Sequence, residues 1–476
     1  MQQKKDKKKN PLAYERRNFW KEAPAREVKQ ALAFAGPYRD FLNRAKTVRE
    51  AVAWTEAQLK QHRFTTLDAA ARGAKRVYSV FRNKTLAMAV LGSQPLSQGF
   101  NMVAAHIDAP RIDLKQNPLY EDTPSGMACM RTHYYGGIKK YQWVSTPLAL
   151  HGFLVKADGK SLDVCLGEDP GDPVFVIPDL LPHLARKEQY GKNILDAIDA
   201  SRLNLVFSGM MEPGSEEKEA VKTYALYLLN KKYGLREQDF IAAELELVPA
   251  TPARDAGLDA SMVVGYGQDD RICAYTALQA LLANLDAKPR RTMIVYFSDK
   301  EEVGSQGNTG AHSIFIQDFV AQLLRHQKED DGSANLRRTF INSQILSGDV
   351  TAAVDPNYPT VHERQNAVLF NHGIGVSKFT GSGGKYSCND ANAEFTARIL
   401  RLFDAHQVFW QMGELGKVDE GGGGTIAYIM ANLGAEVIDC GTGLMGMHSL
   451  YELCSKADLY STYAAYKAFL TANETM

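Results

Sequence analysis

Two apolar runs, Phe100–Ala105 in QGFNMVAAHIDAPR and Thr292–Phe297 in RRTMIVYFSDKEEVGS, constrain the chain most. Each reads as a buried strand, and such strands need cover on both faces of their sheet. Helical patterns can supply it. From about residue 255, DDRICAYTALQALLANL, SIFIQDFVAQLLRH and ANAEFTARILRLFDAH alternate with the strand-like RRTMIVYFSD, SQILSGDVTAAV and AEVIDCG. An amphipathic helix pattern, KTVREAVAWTEAQLKQH, and a strand candidate, RVYSVFRN, precede the first run. This rhythm predicts an α/β sandwich around a mixed sheet.

The rhythm is interrupted. Between about 110 and 250 come tyrosine-rich THYYGGIKKYQWV and the alternating LALHGFLVKADGKSLDVCLG, whose Asp158-Gly159 reads as a hairpin turn. A helix pattern, VKTYALYLLNKKYG, and a strand pattern, IAAELELVP, close the stretch. Because the later pattern resumes the earlier one, residues 110–250 read as an inserted β-rich module, and 1–109 with 251–476 as one discontinuous domain.

Charge narrows the partners. Lys plus Arg and Asp plus Glu each number 55 in 476 residues, and a balanced chain argues against a nucleic-acid or membrane-surface footprint. No apolar stretch reaches the roughly 20 residues of a membrane span, and MQQKKDKKKN is not followed by a signal-peptide core. The lysine run reads as a solvated tail. Six cysteines stand singly, without a CxxC pair, and read as reduced thiols of a cytoplasmic protein.

The chemistry gathers where strand-like runs end. His106 and Asp108 follow the first run, Glu301 and Glu302 the second, Asp349 a third and His448 a fourth, while Asp269 and Asp270 stand at a helix entrance. Ligands of open α/β sheets collect in the crevice at the carboxyl ends of strands, so these positions can converge. Adjacent glutamates there have a physical use: one carboxylate binds a cation while its neighbour stays free as a proton acceptor. Singly, each feature has a plainer reading. His-x-Asp is commonly a core or surface pair, Asp-Asp a helix cap, Glu-Glu a solvated face, and a lone histidine a packing residue. Together and in order, they favour a metal centre.

The ordered set AAHIDAPR, GYGQDDRICAYTAL, FSDKEEVGSQG, LSGDVTAAVDPNYP and MGMHSLYEL resembles the M18 family of zinc aminopeptidases, the aspartyl aminopeptidase group, over nearly the whole chain. The resemblance implies a three-layer α/β/α metallopeptidase domain with an inserted β-rich dimerisation domain that covers a neighbour's site. It implies two zinc ions per chain, with cobalt or manganese as substitutes. His106, Asp269 and Asp349 would hold one ion, and Asp269, Glu302 and His448 the other. Glu301 would be the general base for metal-activated water, and Asp108 would fix the His106 tautomer. The implied substrates are peptides with a free N-terminus. The implied assembly is a homo-oligomer of dimers, a tetrahedral dodecamer, in which His183 of IPDLLPHLARK enters the adjacent subunit's pocket.

Specificity is open at this stage. Asp355 in AVDPNYP stands where aspartyl-specific members commonly carry histidine, so acidic, leucine-type and basic first residues all remain candidates. Lys378 and Lys385 in SKFTGSGGKYS are the candidate cationic contacts to substrate. GSGGKYS is not a phosphate loop, because Tyr386 follows Lys385 and Phe379 occupies the first glycine position. GGGGT at 421–425 instead suits a close backbone approach to the site. Two rival functions fit parts of the pattern: a related di-zinc hydrolase such as an N-acyl amino acid deacylase, and a metal-stabilised, non-catalytic assembly protein.

Overall fold

The computed structural model describes residues 12–71 and 73–473; the lysine-rich N-terminus lies outside these. Among the described residues a nine-stranded mixed sheet forms the centre. Its order is Thr65–Thr66, Arg76–Phe81, Thr85–Val90, Thr292–Ser298, Phe100–His106, Gln344–Ser347, Glu436–Gly441, Ile374–Ser377 and Trp410–Met412. The four strands from Thr292–Ser298 to Glu436–Gly441 run parallel, so their carboxyl ends share one edge. Antiparallel neighbours flank them on both sides.

Side-chain alternation divides the core into two halves. From the strand Phe100–His106, Val103 and Ala105 join a buried cluster with Phe41, Leu278 and Phe469, whereas Met102 and Ala104 join another with Phe319, Phe340 and Met430. Helices Ala25–Arg44, Val48–Gln61, Gln268–Ala283 and Lys456–Leu470 supply the first layer. Phe315–His326, Ser333–Ile341 and Ala427–Ala431 supply the second. The result is three layers, as the rhythm predicts. Local signals start the helices: Thr47 and Glu50 form a reciprocal cap at the entry to Val48–Gln61, satisfying two otherwise free N–H groups. Along Phe315–His326, Phe315, Ile316, Phe319, Val320, Leu323 and Leu324 make one buried stripe.

SQILSGDVTAAV differs from expectation. It forms two short strands, Gln344–Ser347 in the central sheet and Thr351–Ala352 in a separate five-stranded sheet. The break falls at Gly348, where a Cβ would lie 2.7 Å from the Tyr466 hydroxyl and 3.2 Å from the Ala104 carbonyl. The chain therefore turns off the sheet edge immediately before Asp349.

A six-stranded antiparallel sheet lies within residues 111–249, in the order Ser161–Leu166, Leu148–Val155, Glu244–Pro249, Arg111–Asp122, Met127–Tyr135 and Leu205–Ser208. The Asp158-Gly159 turn joins its first two strands, with Val155 opposite Ser161. A network of charges couples this sheet to the helix Val48–Gln61. His151 lies between Glu50 at 2.7 Å and Glu168 at 2.9 Å, and Glu168 also pairs with the buried Lys46 at 2.6 Å. Burial alone would lower the His151 pKa, but hydrogen bonding to Cys165, Glu168 and Glu50 outweighs it and lifts it to about 11. A raised histidine pKa stabilises the fold fully below the unfolded value of 6.5, and the contribution is lost as pH climbs towards 11. His151→Gln is expected to cost about 3 kcal/mol at pH 7, because two carboxylates lose their buried cation. Chemical denaturation across pH 7 to 10.5 checks this: the gap from the parent must narrow as pH rises.

Candidate metal centre

The carboxyl ends of the parallel strands, the start of the helix Gln268–Ala283 and the loop before the strand Glu452–Ser455 bring eight of the sequence candidates together. His106 ends its own strand, with Ser298 beside it in register on the neighbouring strand. Glu301 and Glu302 follow that neighbour through Lys300, which adopts a left-handed conformation (φ 66°). Asp349 follows the turn at Gly348, and His448, also left-handed (φ 64°), lies between the strands Gly443–Met445 and Glu452–Ser455. Non-glycine residues held in this region are strained, and such strain concentrates at functional sites.

Asp269 sits between the two histidines. One of its carboxylate oxygens is 3.1 Å from His106 Nε2, and the other is 3.2 Å from His448 Nε2. Asp349 approaches His106 Nε2 at 3.9 Å, and Glu302 approaches His448 Nε2 at 3.4 Å. The two oxygens of one residue thus face two separate donor groups. Asp269 departs from helical geometry at the start of Gln268–Ala283 (φ −81°, ψ 107°), so its side chain points into the cluster and does not act as a helix cap. Its neighbour Asp270 is buried under the same group, and its ligand atom lies within 4.8 Å of those of His106 and Asp349.

Each histidine is aimed from behind. His106 Nδ1 is 3.2 Å from Asp108, and His448 Nδ1 is 3.0 Å from the Gly137 carbonyl. With Nδ1–H donating to these acceptors, Nε2 on each ring presents a lone pair to the cavity. Asp108 does more than hold His106. Its oxygens accept the backbone N–H groups of Glu301 and Glu302 at 3.0 and 3.2 Å and the Tyr135 hydroxyl at 2.8 Å.

The residues present suit divalent cations. Two imidazoles and several carboxylates converge, and the buried Glu302 Oε1 has no hydrogen-bond partner among the described residues. Burial pushes the Glu301 carboxyl up to about 7, with the Asp269 and Asp108 charges reinforcing it and His106 opposing. Burial likewise raises Glu302 and Asp349 well above the ordinary range. Crowded acids of this kind are held ionised by metal ions, and the mixed nitrogen and oxygen donors match zinc.

The other candidates stand apart. The cavity beside the cluster holds about 230 Å³, and Asp269, Glu301, Glu302, Asp349 and His448 line one side of it. His183 is exposed in a turn before the helix Ala185–Glu188. The Asp355 carboxylate accepts the Asn357 N–H in its own loop. Lys378 and Lys385 both pair with Asp390, at 3.4 and 2.9 Å. None of these four lines the cavity.

One residue escapes the sequence reading altogether. Glu452 is 1% exposed and accepts N–H groups from His448 at 2.9 Å, Gln268 at 2.6 Å and Asp269 at 3.3 Å, tying two ligand loops to one carboxylate. Its only signal was a glutamate four residues after His448 in MHSLYEL. Gly137 carried none beyond the tyrosine-rich THYYGGI; a Cβ there would press to 3.3 Å from His448 Nδ1, so glycine admits the carbonyl.

Comparison with known proteins identifies the family. The family model described as aminopeptidase I zinc metalloprotease (M18) matches residues 41–470. A probable M18 family aminopeptidase 1 of Clostridium acetobutylicum is 47% identical over 97% of this chain and 99% of its own. The crystal structure of an M18 family aminopeptidase from Thermotoga maritima superposes with a TM-score of 0.91 at 45% identity, covering 96% of this chain and 99% of that one. A Saccharomyces cerevisiae mApe1 dodecamer structure shares the fold, with a TM-score of 0.74 at 20% identity, covering 92% and 97% of the two chains. The chain belongs to the M18 family of zinc aminopeptidases, a family of metal-dependent peptide hydrolases.

Proposed function

We propose that the chain is a co-catalytic two-zinc aminopeptidase in which Asp269 would be a ligand shared by both ions. The observation that carries this reading is the division of the Asp269 carboxylate, one oxygen towards His106 and the other towards His448. His106, Asp269 and Asp349 would hold one ion, and Asp269, Glu302 and His448 the other. When bound, the pair polarises the scissile carbonyl and makes water acidic enough to lose a proton near neutral pH.

Glu301 supplies the proton transfers. It lines the cavity beside the ligands, and its backbone is anchored by Asp108. Its carboxylate takes the proton of the attacking water and returns it to the departing amine. Asp108 holds the His106 ring and the Glu301–Glu302 backbone in one arrangement, so the base and one ligand are positioned together. The acids around the centre attract the substrate's free α-amine, which makes the activity exopeptidic.

Residues 110–250 are read as the dimerisation module. Exposed Leu181 and Leu184 on either side of His183 support a surface made for another subunit, from which His183 would enter a neighbour's site. That mApe1 is a dodecamer supports a homo-oligomer as the larger unit. Six free cysteines accord with a reducing cytoplasm, and no helix among the described residues is long and apolar enough to cross a membrane.

Acetylating the amine of a good peptide substrate tests the reading, with product release followed by mass spectrometry. The aminopeptidase is expected to lose more than about 99% of turnover, since the amine's contacts vanish along with its charge. Release of acetate from the blocked substrate, with the free peptide left uncleaved, would instead identify a deacylase, and no cleavage of either a scaffold.

A further inference from the structure

The inserted sheet reaches the metal centre through the end of its strand Met127–Tyr135, where three consecutive residues each meet a different member of the cluster. The Tyr135 hydroxyl donates to Asp108 Oδ2 at 2.8 Å. Gly136 is left-handed (φ 75°) and passes so close that a Cβ there would stand 3.3 Å from the Glu302 Cβ. The Gly137 carbonyl lies 3.0 Å from His448 Nδ1.

This segment has its own support. Tyr135 stands opposite Arg111 in register, and Arg111 opens the strand that leaves the centre directly after Asp108-Ala109-Pro110. Both strands of one hairpin thus end at the cluster. The Arg111 guanidinium covers the Tyr135 ring at 3.7 Å and pairs with Asp113 at 2.8 Å and Glu246 at 3.2 Å.

The two histidines depend on the segment in different ways. His106 is 1% exposed and ends a central strand, whereas the His448 side chain is 35% exposed and stands in a loop. A ring on a loop turns freely unless its second nitrogen is tied, and a main-chain carbonyl is a fixed acceptor for it. His106 is reached through Asp108. Asp108 Oδ1 faces the His106 ring and the Glu301 N–H, and Oδ2 faces the Glu302 N–H and the Tyr135 hydroxyl. Of these four donors, Tyr135 is the one that comes from the insert.

Resting on the two-ion reading, we infer that Tyr135–Gly137 is a positioning segment through which the inserted domain fixes both zinc-holding histidines of its own subunit. Tyr135 acts through Asp108, and Gly137 acts directly on the His448 ring. Neither residue lines the cavity. The insert is then part of the scaffold of the centre in its own chain, besides offering a surface to another.

The test compares Tyr135→Phe, Gly137→Ala and Leu229→Ala in the full chain. Zinc affinity is read by competition with a chromophoric chelator, and kcat and KM are measured at saturating zinc on the parent's best peptide substrate. Removing one hydroxyl in Tyr135→Phe is expected to weaken zinc binding about tenfold and to lower kcat about tenfold, with KM within about twofold of the parent. Gly137→Ala should do the same, because its Cβ would press to 3.3 Å from His448 Nδ1 and turn the ring. Leu229 belongs to the insert's own core, so Leu229→Ala should lower the thermal midpoint and keep the parent's zinc affinity and kcat. Parent-like zinc affinity and kcat in either Tyr135→Phe or Gly137→Ala overturns the inference, as does an equal loss of zinc affinity in Leu229→Ala. A parent that holds fewer than two zinc ions, or releases no first residue, would overturn the two-ion reading itself, which keeps the two failures distinct.

Discussion

Glu301→Gln is expected to lower kcat about a thousandfold while leaving metal content and thermal stability close to those of the parent. Glutamine matches the carboxylate in shape but can neither accept the water's proton nor return it to the amine. Glu301 is separate from the proposed ligand set, and its backbone N–H is held by Asp108 whatever its side chain, so the centre should assemble normally. Metal analysis with steady-state kinetics on one preparation checks both halves. Activity within tenfold of the parent would remove Glu301 from the role of base.

Asp269→Asn should act on the metal itself. The aspartate offers one oxygen to each half of the centre, at 3.1 Å from His106 Nε2 and 3.2 Å from His448 Nε2. Asparagine keeps one oxygen, places an NH2 group where the other stood and removes the negative charge. Loss of an orienting partner behind a ligand typically lowers metal affinity about 10- to 100-fold, and loss of a shared ligand should exceed that range. The expected result is a preparation with one zinc per chain or fewer after dialysis, and turnover lost with it. Inductively coupled plasma measurement decides: two ions retained in Asp269→Asn would mean that the bridge is another residue.

These two experiments concern residues that were legible in the chain. Glu301 and Glu302 stand out because like charges directly after a buried run require a reason, and His106 with Asp108 because they end a strand. Parallel pairing then makes strand ends coincide, so residues more than 190 positions apart, His106 and Glu301, come within one cluster. Other parts of the fold left little trace. The helix Lys456–Leu470 was missed because it is buried on most of its circumference, between the sheet and the helices Ala25–Arg44 and Gln268–Ala283, and so shows no polar face. The break at Gly348 was missed because it depends on Tyr466 and Ala104, neither of which is near it in sequence.

The amino-acid order by itself settled which strands are buried and which imidazoles and carboxylates stand at their ends, since burial pattern and local punctuation are short-range properties. Folding decided what each side chain faces: that Asp269 lies between two histidines, that Glu452 ties two loops together, and that Asp355, Lys378 and Lys385 turn to partners in their own loops. Side-chain direction at a strand or helix end follows from contacts with distant segments, and only the closed tertiary structure brings those segments together.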